Sequence, residues 1–94
     1  MRGEPSDPGP SLDALRLEID RLDRALLEQL AARRDVVAEL GAWKRAHGVP
    51  GHDPTREAEL HARWAEHARA LALPEPLAHA ILEAILTHSR TWVG

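Results

Sequence analysis

Apolar residues recur at Leu12, Leu15, Ile19, Leu22, Leu26, Leu30, Val37 and Leu40, the alternating three-and-four spacing of one helix face. No proline interrupts Ser11 to His47, and the single internal glycine is Gly41. Ser11 reads as an N-cap, while Gly48 and Pro50 read as a stop. The pattern therefore predicts one helix from Leu12 to about His47. Such a helix is roughly 50 Å long at 1.5 Å per residue. A compact globule of this mass has a radius of gyration of only about 12–13 Å. The rest of the chain is too short to cover the apolar stripe, and self-association is the economical way to bury it.

The pattern resumes after a loop, Gly48 to Asp53. Asp53 reads as an N-cap with Pro54 at the first helical position, where its missing N–H costs nothing. A second helix is predicted from Pro54 to about Leu71, broken by LPEP (Leu73 to Pro76), and a third from about Pro76 towards Trp92. No strand alternation and no internal repeat is present. Met1 to Pro10 holds three prolines and two glycines and predicts a disordered lead-in, leaving 11–94 as one helical domain. The expected fold class is all-α.

Composition narrows the picture without changing it. Phe, Tyr and Cys are absent, so the core must be aliphatic and no disulfide or thiolate metal site can staple it. Twelve Lys and Arg against fifteen Asp and Glu give a formal net charge of −3, which argues against a nucleic-acid binder. No apolar run approaches the roughly 18 residues a membrane span needs, and no signal-peptide core is present. A cytoplasmic setting is the expectation.

Charge placement is more informative than charge balance. On a wheel of about 100° per residue, Arg33 lies within roughly 20° of the stripe centre and Lys44 lies on it, while Arg16 sits about 80° away, at the edge. Two cations thus occupy positions where a bundle wants leucine. A buried unpaired charge is expensive, so they imply internal carboxylate partners, snorkelling at the bundle ends, a register-setting polar layer, or an anionic ligand. On the second helix Glu57, Leu60, Trp64, Ala68 and Leu71 form the inward face, with Arg56 at its edge. Glu57 then either pairs with Lys44 or Arg33, favours the helix N-terminus, or trims a cation-rich pocket for a small polycarboxylate.

Other constellations fall away. The six histidines contain no HxxxH or HExxH spacing, so a metal site is not expected. His88 and Ser89 are adjacent on a helix and face different ways, a poor nucleophile–base geometry. Glu57 and His61, four apart, read as a surface-edge pair. Trp43, Trp64 and Trp92 read as core or dimer contacts.

The segment LDALRLEIDRLDRALLEQLAARRDVVAELGAWK followed by HDPTREAEL resembles the all-helical (AroQ-type, type II) chorismate mutases. The likeness covers about Leu12 to Ser89. It rests on an Arg in the first turns, a later Arg-Arg, a Lys eleven residues past the first of that pair, and D-x-x-R-E opening the second helix. The resemblance implies three helices per chain, one very long, intertwined as a homodimer with two shared sites. It also implies the rearrangement of chorismate to prephenate in the shikimate pathway of aromatic amino acid biosynthesis, with no cofactor and no metal. By position, Arg16 resembles the arginine that crosses from the partner chain to a carboxylate, and Arg33 the in-chain arginine on the other carboxylate. Lys44 resembles the lysine that contacts a carboxylate and the ether oxygen. Asp53 and Glu57 resemble the acidic pair near the ring hydroxyl, Arg56 the neighbouring arginine, and Ser89 the serine of the third helix. Lys44, Arg33 and Glu57 are the expected catalytic set.

One position departs from the family pattern. Four residues beyond Ser89, where many members carry a Gln or Glu that also reaches the ether oxygen, stands Val93. This leaves either a weak enzyme or a site completed by an activating partner enzyme or a C-terminal rearrangement. Some short members of the family are activated by the first enzyme of the shikimate pathway. Three rival readings stay open. The first is a mutase of 4-amino-4-deoxychorismate, whose ammonium Asp53 and Glu57 also suit. The second is an isochorismate–pyruvate lyase, ranked lower. The third is a non-catalytic helical dimer module.

Overall fold

In the computed structural model, which describes residues 9–93 and only the backbone of Val93, the chain is all-α. Helix α1 spans Leu12–His47, α2 Pro54–Ala70 and α3 Glu75–Val93, with no strand among the described residues. Residues 1–8 of the expected lead-in, and the side chain of Val93, lie outside the described residues. Contacts divide the chain into two compact units, Met1–Arg33 and Arg34–Gly94.

In the first unit α1 begins as its cap residue dictates. The Ser11 hydroxyl accepts from the Ala14 N–H at 3.1 Å, and the Ser11 carbonyl accepts from Leu15 N–H at 3.0 Å. Two surface pairs follow, Glu18 with Arg21 and Arg24 with Glu28 at 3.4 Å. The Arg21 guanidinium holds the Glu18 carboxyl below its ordinary value. Exposed pairs of this kind contribute little to stability, so they cannot be what holds the helix. Leu12, Leu15, Ile19, Leu22 and Leu26 are each 48–61% exposed. The apolar stripe of this unit is exposed along these positions.

The second unit contains the end of α1, the loop, α2 and α3. Gly48 adopts φ +66°, and Val49 N–H bonds back to the Lys44 carbonyl at 2.9 Å, the six-to-one closure of a Schellman motif. A side chain at that φ is disfavoured, which is why the helix stops at a glycine. Asp53 caps α2, its Oδ1 accepting from Arg56 N–H at 3.1 Å, with Pro54 in the first turn. The same closure ends α2 one residue before the expected Leu71. Leu73 N–H bonds to the Ala68 carbonyl at 2.8 Å with Ala72 at φ 57°, a left-handed alanine. α3 starts at Glu75 rather than Pro76, because the Pro74 carbonyl accepts from Leu77 and Ala78.

α2 and α3 pack together, and the core lies between them. Leu82 is fully buried, joined by Ile85, Leu86, Ala78 and, from α2, Ala68. Small residues at 68 and 78 allow close approach of the backbones. The ion pair Arg69–Glu75, at 3.1 Å, bridges the turn between the helices. No helix of the described residues is long and apolar enough to cross a membrane.

Candidate active site

Most arginines in the structure meet a carboxylate: Arg21, Arg24, Arg34, Arg56, Arg69 and Arg90 all do. Three cations marked by the sequence do not. Arg16, on α1, is exposed and has no ion-pair partner among the described residues. Arg33 is half-buried, and its Nη1 is buried without a hydrogen-bond partner. Lys44 is half-buried, and its Nζ donates to the Gly51 carbonyl at 3.2 Å rather than to a carboxylate. The exposed Arg63 also has no ion-pair partner among the described residues, yet it is on the surface, where water serves. Salt bridges among the described residues therefore do not account for Arg33 and Lys44. A buried guanidinium donor left unmade costs about 1–3 kcal/mol or more, which a bound anion would recover.

The Lys44–Gly51 bond ties the end of α1 to the loop that leads into α2. Asp53, Arg56 and Glu57 follow on the first turn of that helix. Asp53 is occupied as a cap. Arg56 is exposed and pairs with Glu59 at 3.5 Å. Glu57 is half-buried and held from two sides: its Oε2 lies 3.7 Å from His52 Nδ1, and its Oε1 accepts from Arg90 Nη2 at 3.3 Å. Ser89 is buried on α3, its hydroxyl donating to the Ile85 carbonyl at 2.7 Å, while His88 beside it is exposed.

Arg90 and His52 were not candidates from the sequence. The Arg90–Glu57 contact joins residues 33 positions apart and depends on the α2–α3 register, so no local spacing announces it. The expected Glu57–His61 pair gives way to His61 with Glu83 at 2.6 Å, because His61 faces α3. His61 and His79 rings lie 4.8 Å apart and border a cleft of about 320 Å³ with Trp64, Ala65, Glu75 and Pro76. That cleft has no Lys or Arg in its walls and does not suit a dicarboxylate. Among the described residues no group of three or more His, Asp or Glu could hold a metal ion. Trp43 is exposed and stacks on His47 with ring centroids 4.0 Å apart, and Trp64 and Trp92 are half-buried.

The family model of chorismate mutase type II matches residues 15–92, most of the chain. The chain belongs to this family. Among curated relatives, the T-protein of Enterobacter agglomerans is 41% identical over 80 residues, 85% of this chain and 21% of that protein. The 4-amino-4-deoxychorismate mutase of Streptomyces pristinaespiralis is 35% identical over 78 residues, 83% of this chain and 60% of that protein. One from Streptomyces venezuelae carries the same name and is 33% identical over 76 residues. The chain thus spans a fifth to three-fifths of the first two of these relatives. As a type II chorismate mutase domain, it carries its half-buried, carboxylate-free cations at Arg33 and Lys44, the positions the family resemblance assigns to substrate.

Proposed function

We propose that this domain is a chorismate mutase, converting chorismate to prephenate, and that it works as a homodimer with shared sites. The observation that carries the reading is that Arg33 and Lys44 are half-buried cations without carboxylate partners among the described residues, one with an orphaned guanidinium nitrogen. A substrate with two carboxylates supplies what they lack. The uncovered stripe from Leu12 to Leu26 supports a second copy as the covering surface.

The reaction is an intramolecular [3,3] shift. The ether C–O bond breaks while a C–C bond forms between the enolpyruvyl arm and the ring, and no proton, electron or group is exchanged with the protein. Arg16 and Arg33 bind the two carboxylates and hold the arm folded over the ring, which removes the rotational freedom that slows the free molecule. Lys44 donates to the ether oxygen, where negative charge grows as the bond breaks. Asp53, Arg56 and Glu57 line the ring-hydroxyl side, with Ser89 on the third helix.

A second reading, turnover of 4-amino-4-deoxychorismate, is favoured by the Streptomyces relatives of that name. The test is incubation of the purified protein with chorismate, its 4-amino analogue and isochorismate separately, with products identified by chromatography. Prephenate from chorismate is the expected result. Preferential turnover of the amine analogue would move the domain to the second reading, and no turnover of any would leave a non-catalytic dimer module.

A further inference from the structure

The mutase reading uses Glu57 but gives no role to Arg90, which donates to it. We propose that Arg90 is a specificity-determining residue that biases the site towards a substrate with a neutral hydroxyl and against one with an ammonium at the same ring position. The inference rests on the mutase reading and deepens it.

The geometry is that of a carboxylate with its charge already answered. Arg90 Nη2 donates to Glu57 Oε1 at 3.3 Å, and His52 Nδ1 lies 3.7 Å from Oε2. Buried Leu82, Ile85, Leu86 and Ser89 set the rotation of α3 against α2 and so place the Arg90 backbone beside Glu57, while the Arg90 side chain itself is half exposed. Glu57 has only 27% of its side chain exposed, so solvent screens the pair incompletely. The nearby charges are Asp53, Glu57 and Glu59 against Arg56 and Arg90, and Arg56 is turned towards Glu59 at 3.5 Å. Arg90 is thus the arginine that compensates Glu57.

Each carboxylate oxygen accepts two hydrogen bonds, so Glu57 bonded to Arg90 still has room to accept from an O–H. A neutral hydroxyl loses little from the guanidinium beyond. An ammonium on the same acceptor sits within about 6–7 Å of that guanidinium, and the two like charges repel. With allowance for the solvent that reaches Arg90, the repulsion amounts to about a tenfold discrimination. Removing Arg90 leaves the side of the site facing the substituent one unit more negative, which an ammonium exploits and a hydroxyl does not.

The experiment measures kcat/KM for chorismate and for 4-amino-4-deoxychorismate with the wild-type protein, Arg90→Gln and Arg90→Lys. The ratio of the two values is expected to move towards the amine analogue by about tenfold in Arg90→Gln and to return most of the way in Arg90→Lys. A purely structural role would lower both values together and leave the ratio unmoved. In a Glu57→Gln background, Arg90→Gln should leave the ratio within about twofold, since Arg90 acts through Glu57. An unchanged ratio in Arg90→Gln, or an equal shift in the Glu57→Gln background, overturns the proposal while the mutase reading stands. A wild-type protein inert to both substrates overturns the mutase reading and the proposal with it.

Discussion

Truncating Lys44 to alanine separates its structural work from its proposed chemical work. Among the described residues Lys44 Nζ makes one hydrogen bond, to the Gly51 carbonyl at 3.2 Å. The closure that ends α1 uses the Lys44 backbone carbonyl, accepting from Val49 N–H, and survives the substitution. Loss of one half-exposed hydrogen bond costs about 0.5–1.5 kcal/mol of stability, a fall of roughly 4–8 °C in Tm per kcal/mol for a domain of this size. Loss of a preorganised donor to a developing oxyanion costs about 10²–10³ in kcat, or some 3–4 kcal/mol of barrier. Lys44→Ala is therefore expected to remain folded and lose at least about 99% of kcat. Lys44→Met, which keeps the aliphatic stem, should lose the same activity with a smaller Tm change. The assay is initial-rate chorismate consumption beside a thermal melt of each variant. A folded Lys44→Ala protein retaining more than about a tenth of wild-type kcat refutes the role given to Lys44.

Arg16→Ala and Arg33→Ala should each be inactive. Mixed after subunit exchange, they should recover about a quarter of wild-type activity, because half the dimers are mixed and one of their two sites is intact. No recovery despite demonstrated exchange would count against a shared site. Val93→Gln should raise kcat by restoring a donor at the ether oxygen, measured under saturating chorismate; an unchanged kcat would show that the donor is not limiting. Ala72→Gly should raise stability by about 1 kcal/mol, since φ 57° strains an alanine. Urea unfolding at fixed protein concentration reads it, and a lower midpoint would contradict the strain.

Much of the architecture was legible because the stops are chemical. Ser11 and Gly48 bound α1, one through a hydroxyl that accepts from Ala14 N–H, the other because the lack of a Cβ lets it adopt φ +66°. The end of α2 was less legible, since Ala72 does the work that a glycine usually marks. At the site, the wheel singled out Arg33 and Lys44 from one face of α1, and their lack of carboxylate partners gives that oddity its physical meaning. Arg90 was invisible to such reasoning. Its meeting with Glu57 follows from how Leu82 and Ile85 seat α3 on α2, a tertiary fact with no period in the sequence. The partner of His61 has the same cause: helical spacing offers Glu57, and packing delivers Glu83.

The most direct measurement is a progress curve of purified protein with chorismate, run beside Arg33→Ala at matched folded concentration. The account predicts saturable formation of prephenate as sole product by the wild-type protein, falling to near the uncatalysed rate when the half-buried guanidinium is removed. Chorismate disappearing at the uncatalysed rate with the folded wild-type protein, or equally fast with wild type and Arg33→Ala, would contradict it.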